Sequence, residues 1–254
     1  MRRTLLLDAD VVAFKIAAVN ETAIDWDGDG DVQVFANEAD ARKQMTKYVE
    51  ELLDLSGSDE VVVCLSDKTG RYYRHDFFPE YKAHRSHGRR PELLTKMKDM
   101  LAEEWTSYRK SRLEADDVLG ILQTKPGMFE GETVICTTDK DLRQIPGLHV
   151  NMKTWEIEEV SREEGEMFFY AQVLTGDTCD GFKGCPGIGL VRAFRIFEEW
   201  RCEEKHDTPW PYIVKAYEKK GLTEEDAIIQ ARVARILRHG EYDYKNKEPI
   251  LWKP

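Results

Sequence analysis

"TLLLD", residues 4–8, is a short apolar run that ends in an aspartate, and it predicts a buried β-strand. Two later stretches have the same form, "EVVVCLSD" (60–67) and "ETVICTTDKD" (132–141). Helical patterns separate these stretches, among them the amphipathic segment 38–57, which a glycine closes. Strands that alternate with helices predict an α/β fold, with a mainly parallel central sheet flanked by helices.

The last third of the chain has a different pattern. After Gly176 comes the glycine-rich stretch "GCPGIG" (184–189), followed by an amphipathic helical pattern. Residues 223–240 predict a further helix, on which Arg232, Arg235 and Arg238 recur near helical spacing and predict a basic face. We therefore expect an α/β domain over residues 1–175 and a small helical subdomain over residues 176–254.

Composition narrows the class of protein. The 254 residues are 41% hydrophobic, which is enough for a folded core. The sequence contains no run of about 18 apolar residues, so no membrane span is expected. The apolar run at the N-terminus is too short for a signal peptide. Five cysteines without a CxxC pair fit a reduced cytoplasm, with neither a disulfide framework nor a zinc site. The net charge of −11 argues weakly against a polyanionic partner.

Acidic residues mark the ends of the predicted strands, at Asp8, Asp67 and Asp139. A single strand-terminal aspartate is usually a turn former or a helix cap. Ligands of parallel sheets bind beyond the carboxyl ends of the strands, so three such residues, with "LEADDVLG" (113–120) between them, predict one crevice. Nine acids stand at strand ends, helix starts or turns: Asp8, Asp67, Glu114, Asp116, Asp117, Asp139, Asp141, Asp177 and Asp180.

Such a cluster of carboxylates needs cations in order to stay ionised. Hard oxygen ligands suit Mg²⁺ or Mn²⁺, and two such ions about 4 Å apart would serve an in-line displacement at phosphorus. On a helix, Glu114 and Asp117 share a face, whereas Asp116 is rotated by about 100°. We therefore expect Glu114 and Asp117 to approach the metal more closely than Asp116.

Residues 71–90 form a basic island, with six lysines and arginines against two acids. Aromatic residues interleave with the basic ones, which suits frayed or single-stranded nucleic acid; a solvated charged loop is the alternative. We expect Phe77 or Phe78 to be core and Tyr81 to face a substrate. The amides of "GCPGIG" and the following helix could hold a phosphate, although a simple glycine-rich turn explains them equally well.

Five segments together resemble the 5′-nuclease (flap endonuclease) superfamily, which includes the 5′-nuclease domains of bacterial DNA polymerase I and phage 5′→3′ exonucleases. They occur in the family order between Leu5 and about Trp200, as "LLLDAD", "LSDKTGRYYRHDFFPEYKAHR", "LEADDVLG", "TTDKDLRQI" and "LTGDTCDGFKGCPGIG". The C-terminal tail resembles the exonucleases of short-tailed phages.

The resemblance implies a divalent-metal-dependent 5′→3′ exonuclease or flap endonuclease acting at 5′ ends of duplex DNA. It also implies action on RNA–DNA hybrids, replication proteins as partners, a role in phage DNA replication and host DNA breakdown, and the host cytoplasm as location. By position, the first metal site contains Asp8, Asp67, Glu114, Asp116, Asp117 and Asp139. The second contains Asp141, Asp177 and Asp180.

The resemblance further implies roles for basic and glycine residues. Lys82 and Arg85 match a catalytic pair that reaches the scissile phosphate from a helical arch or gateway, and Tyr81 matches a position that stacks on a terminal base. The glycine-rich loop matches a helix–turn–helix element that grips duplex backbone and whose carbonyls can hold K⁺. The implied nucleic-acid contacts are Arg74, Tyr81, Arg89, Arg90, Gly184, Gly187, Gly189 and Arg192.

The chain departs from the family pattern at three positions. Ala9 stands where glycine is usual, and Gly181 where asparagine is frequent. Val191 replaces a lysine that grips duplex, so Arg192 or Arg195 would have to substitute for it.

Three other classes compete with this interpretation. "LLLDADVV" and "GDTCD" resemble motifs of haloacid-dehalogenase-like phosphatases, but Val11 and Val12 replace the usual Gly-Thr and the basic island stays unexplained. A related metal-dependent ribonuclease and a non-catalytic nucleic-acid-binding protein are the other two.

Overall fold

A six-stranded sheet forms the centre of the structure, a computed structural model that describes residues 2–29, 32–83, 89–203 and 206–254. The strands in chain order are β1 (Arg3–Asp8), β2 (Glu21–Asp25), β3 (Val32–Ala36), β4 (Glu60–Leu65), β5 (Thr106–Arg109), β6 (Glu132–Thr137), β7 (Gly147–Asn151), β8 (Ile157–Val160), β9 (Tyr242–Asp243) and β10 (Glu248–Pro249). The helices are α1 (Ala9–Val19), α2 (Glu38–Ser56), α3 (Leu94–Glu104), α4 (Ala115–Gln123), α5 (Arg162–Thr175), α6 (Leu190–Glu203), α7 (Trp210–Glu218) and α8 (Glu224–Ala234).

The central sheet has the order β5-β4-β1-β6-β7-β8. Its pairs are parallel apart from β7–β8, which is antiparallel. The predicted α/β fold with a mainly parallel sheet is therefore confirmed, and all three of the strands predicted from apolar runs are central. The short edge strands β5 and β8 were not predicted, because neither has a buried apolar run.

Both faces of the central strands are buried, which explains why their sequences are continuous apolar runs. Leu5 and Leu7 pack with α1, α2 and α3 on one face. Leu6 packs on the other face with α4 and with Ile236 and Leu237, which follow α8. Strands β2 and β3 form a separate antiparallel pair, and residues 30–31 between them lie outside the described residues.

The first acid of the "LEADDVLG" stretch, Glu114, lies one residue before helix α4. Glu114 is the N-cap, in an extended conformation, and the helix proper starts at Ala115. The Asp117 side chain accepts a hydrogen bond from the backbone amide of Glu114, with an N–O distance of 3.3 Å. The three acids of the motif are therefore held on a helix start, in the positive end of the helix dipole.

Helices α5 to α8 share a third core cluster, which also includes Tyr81. Helix α8 ends at Ala234, and Arg235 and Arg238 are only 6% and 8% exposed. Both pair internally, Arg235 with Glu241 and Arg238 with Glu166. The expected basic face over residues 223–240 is therefore wrong, since Arg235 and Arg238 lie beyond the end of the helix and pair with the partly exposed acids Glu241 and Glu166.

The chain after α8 returns to the first domain and passes close to α4. A Cβ atom on Gly120 would lie 2.4 Å from the carbonyl oxygen of Leu237, so only glycine permits this approach. The division between residues 175 and 176 stays a prediction, as does the DNA-binding role of the α5–loop–α6 element. The expected arch falls partly on residues 84–88, which lie outside the described residues. Among the helices that are described, none has the length and apolar character to cross a membrane.

Candidate active site

A cavity of about 580 Å³ opens at the carboxyl ends of β1, β4 and β6. Because β1 pairs with both other strands, Asp8, Asp67 and Asp139 reach the same edge of the sheet. The structure therefore brings the predicted strand-end acids to one crevice. The carboxylates that line it are Asp8, Asp10, Asp67, Asp99, Glu114, Asp116 and Asp139.

Asp8 and Asp116 are the carboxylates most affected by this environment. Asp8 is the N-cap of α1; its Oδ1 accepts from the Val11 amide at 3.3 Å and its Oδ2 from Thr137 Oγ1 at 2.7 Å. Burial, followed by the charge of Asp10, raises the pKa of Asp8 to about 7. Burial and then the charges of Asp139 and Asp8 raise the pKa of Asp116 well above its ordinary value. Both groups lie where added positive charge would stabilise their ionised forms.

Asp10 is a pocket residue that was not among the predicted ligands. Its Oδ1 accepts a 3.4 Å hydrogen bond from the Ser66 amide, and its Oδ2 pairs with Lys98 Nζ at 2.9 Å. Its position two residues after Asp8, at the start of α1, is the signal that could have identified it.

Backbone amides fix the other two strand-end acids. Asp67 Oδ1 accepts from the Thr69 amide at 3.2 Å, and its Oδ2 from the Arg112 amide at 2.6 Å. Asp139 is exposed, and its Oδ1 accepts from the Asp141 amide at 2.8 Å. These amide contacts orient each carboxylate at the rim of the crevice.

Asp117 is fully buried and lies behind the pocket. Its Oδ2 and Oδ1 accept from Arg74 Nη1 at 2.7 Å and Nη2 at 2.9 Å, and Oδ1 also accepts from the Leu237 amide at 3.2 Å. Arg74 also binds Glu114 Oε2 at 2.9 Å, so Glu114 and Asp117 do share a face. That face carries Arg74, whereas Asp116 faces the cavity. Glu114 lines the cavity as well. The geometry therefore contradicts the expected order of approach to a metal for Asp117 alone, which does not line the cavity.

Arg74 is 3% exposed, so the predicted nucleic-acid contact of this residue is wrong. Its remaining donors bind two backbone carbonyls, from Nε to Val233 at 2.9 Å and from Nη2 to Arg235 at 2.6 Å. All five N–H groups of the guanidinium are therefore used inside the protein. Arg74 joins the acidic start of α4 to the segment that follows α8.

Two residues of the basic island, Tyr81 and Lys82, contact Glu114. The Tyr81 hydroxyl lies 2.7 Å from Glu114 Oε2 and 3.2 Å from Asp180 Oδ2, and the side chain is 3% exposed. Because its ring is buried, the expectation that Tyr81 stacks on a terminal base is wrong. Phe77 and Phe78 are both partly buried against the core, as expected for at least one of them.

Lys82 reaches the pocket, as predicted. Its Nζ lies 2.6 Å from Glu114 Oε1 and 3.4 Å from Asp180 Oδ1. Burial alone would raise the pKa of Glu114, but the charges of Lys82 and Arg74 outweigh it and lower that pKa to about 2. Glu114 is therefore an ionised anchor for two cations. The partner predicted for Lys82, Arg85, lies outside the described residues.

Asp141, Asp177 and Asp180 form a second acidic group around the turn after α5. Asp177 Oδ1 accepts from the Cys179 amide at 2.6 Å and the Asp180 amide at 3.3 Å. Burial, followed by the charge of Asp139, raises the pKa of Asp141 to about 7. Lys140 Nζ lies 3.0 Å from Asp177 Oδ2, a contact that was not predicted from the sequence.

The donor chemistry of both groups fits hard divalent cations. The side chains are carboxylates, and Asp141 Oδ1 is buried without a hydrogen-bond partner. Across the ranges described, no three Asp, Glu, His or Cys side chains converge closely enough to hold a metal as they stand. Lys82, Lys98 and Lys140 each pair with a carboxylate of these groups.

The remaining predicted nucleic-acid contacts differ in their exposure. Arg90 lines the cavity, whereas Arg89 is paired with Glu21. Gly184 has a φ of 63°, a Cβ there would lie 2.3 Å from the Gly176 amide nitrogen, and its own amide donates to Gln230. Its amide is therefore used internally, contrary to the expected phosphate contact. A Cβ atom on Gly189 would meet no atom within 4 Å. A Cβ atom on Gly187 would meet only the ends of two basic side chains, Arg192 and Lys220.

Basic side chains lie close together beside the glycine-rich loop. A groove of about 250 Å³ between α6 and α7 is lined by five basic residues and one acid, Glu199. Arg192 and Arg195 were predicted to replace the missing lysine, and both lie in this groove. The other three basic residues of the groove were not predicted; they are Lys215 on α7 and Lys219 and Lys220 in the turn after it.

The mainly parallel α/β sheet has an acidic crevice at its carboxyl edge, with a lysine at the crevice. This arrangement is typical of hydrolytic enzymes that act on phosphate esters with divalent metal ions. Residues 3–172 match the family model described as 5′-3′ exonuclease, N-terminal resolvase-like domain. The chain belongs to this family, and it is a nuclease of the 5′→3′ exonuclease and flap endonuclease type. The phosphatase alternative is not favoured.

Individual relatives agree with this membership. The exonuclease of Escherichia phage T7 is 32% identical over 204 residues, covering 69% of this chain and 68% of the relative. The flap endonuclease Xni of Shewanella halifaxensis is 32% identical over 146 residues, covering 51% of this chain and 56% of the relative.

Solved structures share the fold. The bacteriophage T5 flap endonuclease, crystallised with metal ions, has a TM-score of 0.67 at 16% identity, covering 92% of this chain and 89% of that chain. A variant of the same T5 protein, in complex with DNA and metal ions, has a TM-score of 0.66 at 15% identity, with the same coverage.

Proposed function

We propose that this nuclease hydrolyses phosphodiester bonds at the 5′ ends or flaps of duplex DNA and requires two Mg²⁺ or Mn²⁺ ions. The observation that carries the proposal is the crevice in which carboxylates from β1, β4, α4 and β6 meet Lys82. The T7 relative is an exonuclease and the Xni relative a flap endonuclease. RNA–DNA hybrids are proposed as further substrates.

The first ion would be held by Asp8, Asp116 and Asp139, with Asp67 and Asp10 close to it. Asp141, Asp177 and Asp180 would hold the second. When bound, the ions would supply Lewis-acid stabilisation of the phosphate oxygens and activate water for attack. Asp117 would act by positioning, since both of its oxygens bind Arg74.

Lys82 would stabilise the charge that develops on the scissile phosphate. Its ammonium is held by Glu114 and Asp180 at the pocket, so it is oriented before substrate arrives. Arg85, which lies outside the described residues, stays proposed as the partner of Lys82 at the scissile phosphate. Arg90 and the basic groove between α6 and α7 would hold more distant phosphates, with Gly187, Gly189 and Arg192 at the turn. A K⁺ ion bound by carbonyls of this loop belongs to the same proposal.

The cellular setting follows from the phage relative and is proposed in the same sense. The enzyme would act in the host cytoplasm during phage DNA replication and host DNA breakdown, alongside replication proteins. The experiment that tests the activity uses one duplex labelled at the 5′ end or at the 3′ end, a flapped duplex and an RNA–DNA hybrid, each with and without Mg²⁺. Early release of the 5′ label as short products supports the proposal, whereas binding without cleavage or early loss of the 3′ label refutes it.

A further inference from the structure

Lys140 lies between the acids of the second group. Its Nζ is 3.0 Å from Asp177 Oδ2 and 4.0 Å from Asp141 Oδ1. Lys140 stands between Asp139 and Asp141 in the sequence. Its positive charge is therefore carried by the same segment as two of the acids. The contact therefore involves two acids that the proposed function assigns to the second metal site.

The two oxygens of Asp177 are not equivalent. Oδ1 is held by the amides of Cys179 at 2.6 Å and Asp180 at 3.3 Å, which fix the turn. Oδ2 takes no part in these turn contacts, and Lys140 Nζ donates to it at 3.0 Å. Asp141 Oδ1 faces the same ammonium and is buried without a hydrogen-bond partner. A cation that used these two oxygens would therefore meet the charge of Lys140.

We propose that Lys140 is a built-in competitor for the second divalent cation, occupying Asp177 Oδ2 until the ion displaces it. This inference rests on the proposed two-metal function. The Lys140 side chain is 69% exposed, so it has room to swing into solvent, while Asp177 is 4% exposed and fixed. The lysine neutralises the acids of the metal-free protein and lowers the affinity of the second site by repelling the incoming ion.

Titration of Mn²⁺ into the DNA-free full-length protein tests the proposal, by calorimetry and by the electron paramagnetic resonance of free Mn²⁺. Lys140→Met removes the charge at similar length, Lys140→Arg keeps it, and Lys47→Met removes an exposed lysine that pairs with Glu51 on α2. Asp177→Asn identifies which binding step belongs to the second site.

We expect the weaker Mn²⁺ site to tighten roughly fivefold or more in Lys140→Met, and to change little in Lys140→Arg and Lys47→Met. A second site that appears only in Lys140→Met supports the same conclusion. If the unsubstituted protein shows a second Mn²⁺ site and Lys140→Met binds Mn²⁺ there equally well or more weakly, the proposed role of Lys140 is overturned, while the two-metal function still stands. Absence of a second site from every variant overturns this role and the two-metal function together.

Discussion

The guanidinium of Arg74 and the carboxylate of Asp117 form a two-pronged ion pair, with N–O distances of 2.7 and 2.9 Å. Both side chains are almost completely buried, at 3% and 0% exposure. The pair connects the start of α4, which carries the pocket acids, to the backbone of residues 233 and 235. The position of Glu114, and through it that of Lys82, therefore depends on a contact with the C-terminal part of the chain.

Replacing Arg74 by methionine is expected to destabilise the protein strongly. The change leaves the charges of Asp117 and Glu114 buried with fewer partners, and removal of one member of a buried pair costs about 3–5 kcal/mol. Urea denaturation measures the effect. Arg71→Met is the matched control, because the Arg71 side chain is 76% exposed and its loss should change stability by about 0.5 kcal/mol or less. Equal stabilities of the two variants would show that the buried network contributes nothing.

Asp116 and Asp117 are adjacent but should respond differently to substitution by asparagine. Asp116→Asn removes a charge from the pocket, so we expect cleavage to fall by a factor of about 100 or more while the metal-free fold is as stable as before or more so. Asp117→Asn weakens the pair with Arg74 and should lower the free energy of unfolding by about 1–3 kcal/mol. Cleavage assays and denaturation of both variants separate the roles. A stable but inactive Asp117→Asn protein would instead favour Asp117 as a metal ligand.

The stability of the metal-free protein should fall as pH rises from about 4 to 8. The pKa values of Asp8 and Asp141 are raised to about 7 from an ordinary value of 3.8, both chiefly by burial. Between these values the folded state binds more protons than the unfolded state, so the free energy of unfolding decreases with pH, by at most about 1.4 kcal/mol per pH unit for each proton.

Addition of Mg²⁺ should reverse much of this loss above pH 7, because the ion favours the ionised carboxylates. Denaturation with urea across the pH range, with Mg²⁺ or with a chelator, measures both effects. Asp8→Asn should flatten the pH dependence in the chelator, whereas a steeper or unchanged slope would contradict the assignment.

Two glycines of the turn before α6 should differ in their tolerance of alanine. A Cβ on Gly184 would lie 2.3 Å from the Gly176 amide nitrogen, and its φ of 63° is unfavourable for other residues. We therefore expect Gly184→Ala to lower the free energy of unfolding by about 2 kcal/mol or more. Gly189→Ala has open space and should be nearly neutral in thermal denaturation. Similar melting temperatures for both would show that the turn relaxes without cost.

Sequence alone was sufficient for the three central strands β1, β4 and β6 and for the acids at their ends, because each depends on a local pattern. Buried parallel strands are continuous apolar runs, and an aspartate at the end of each run is carried to the same edge by the direction of the strands. Lys82 was assigned to the site by the resemblance to the 5′-nuclease superfamily and not by this pattern.

Tertiary structure decided which of these side chains face the cavity and which lie behind it. Arg74 and Tyr81 are polar residues in a basic segment, and nothing local shows that carbonyls of residues 233 and 235 and the carboxylate of Asp117 will bury Arg74. The same limit applies to Asp116 and Asp117, since the helical period separates their faces but does not say which one meets Arg74. Periodicity is a property of one element, whereas burial of a charge depends on partners more than 100 residues away, which only the folded chain brings together.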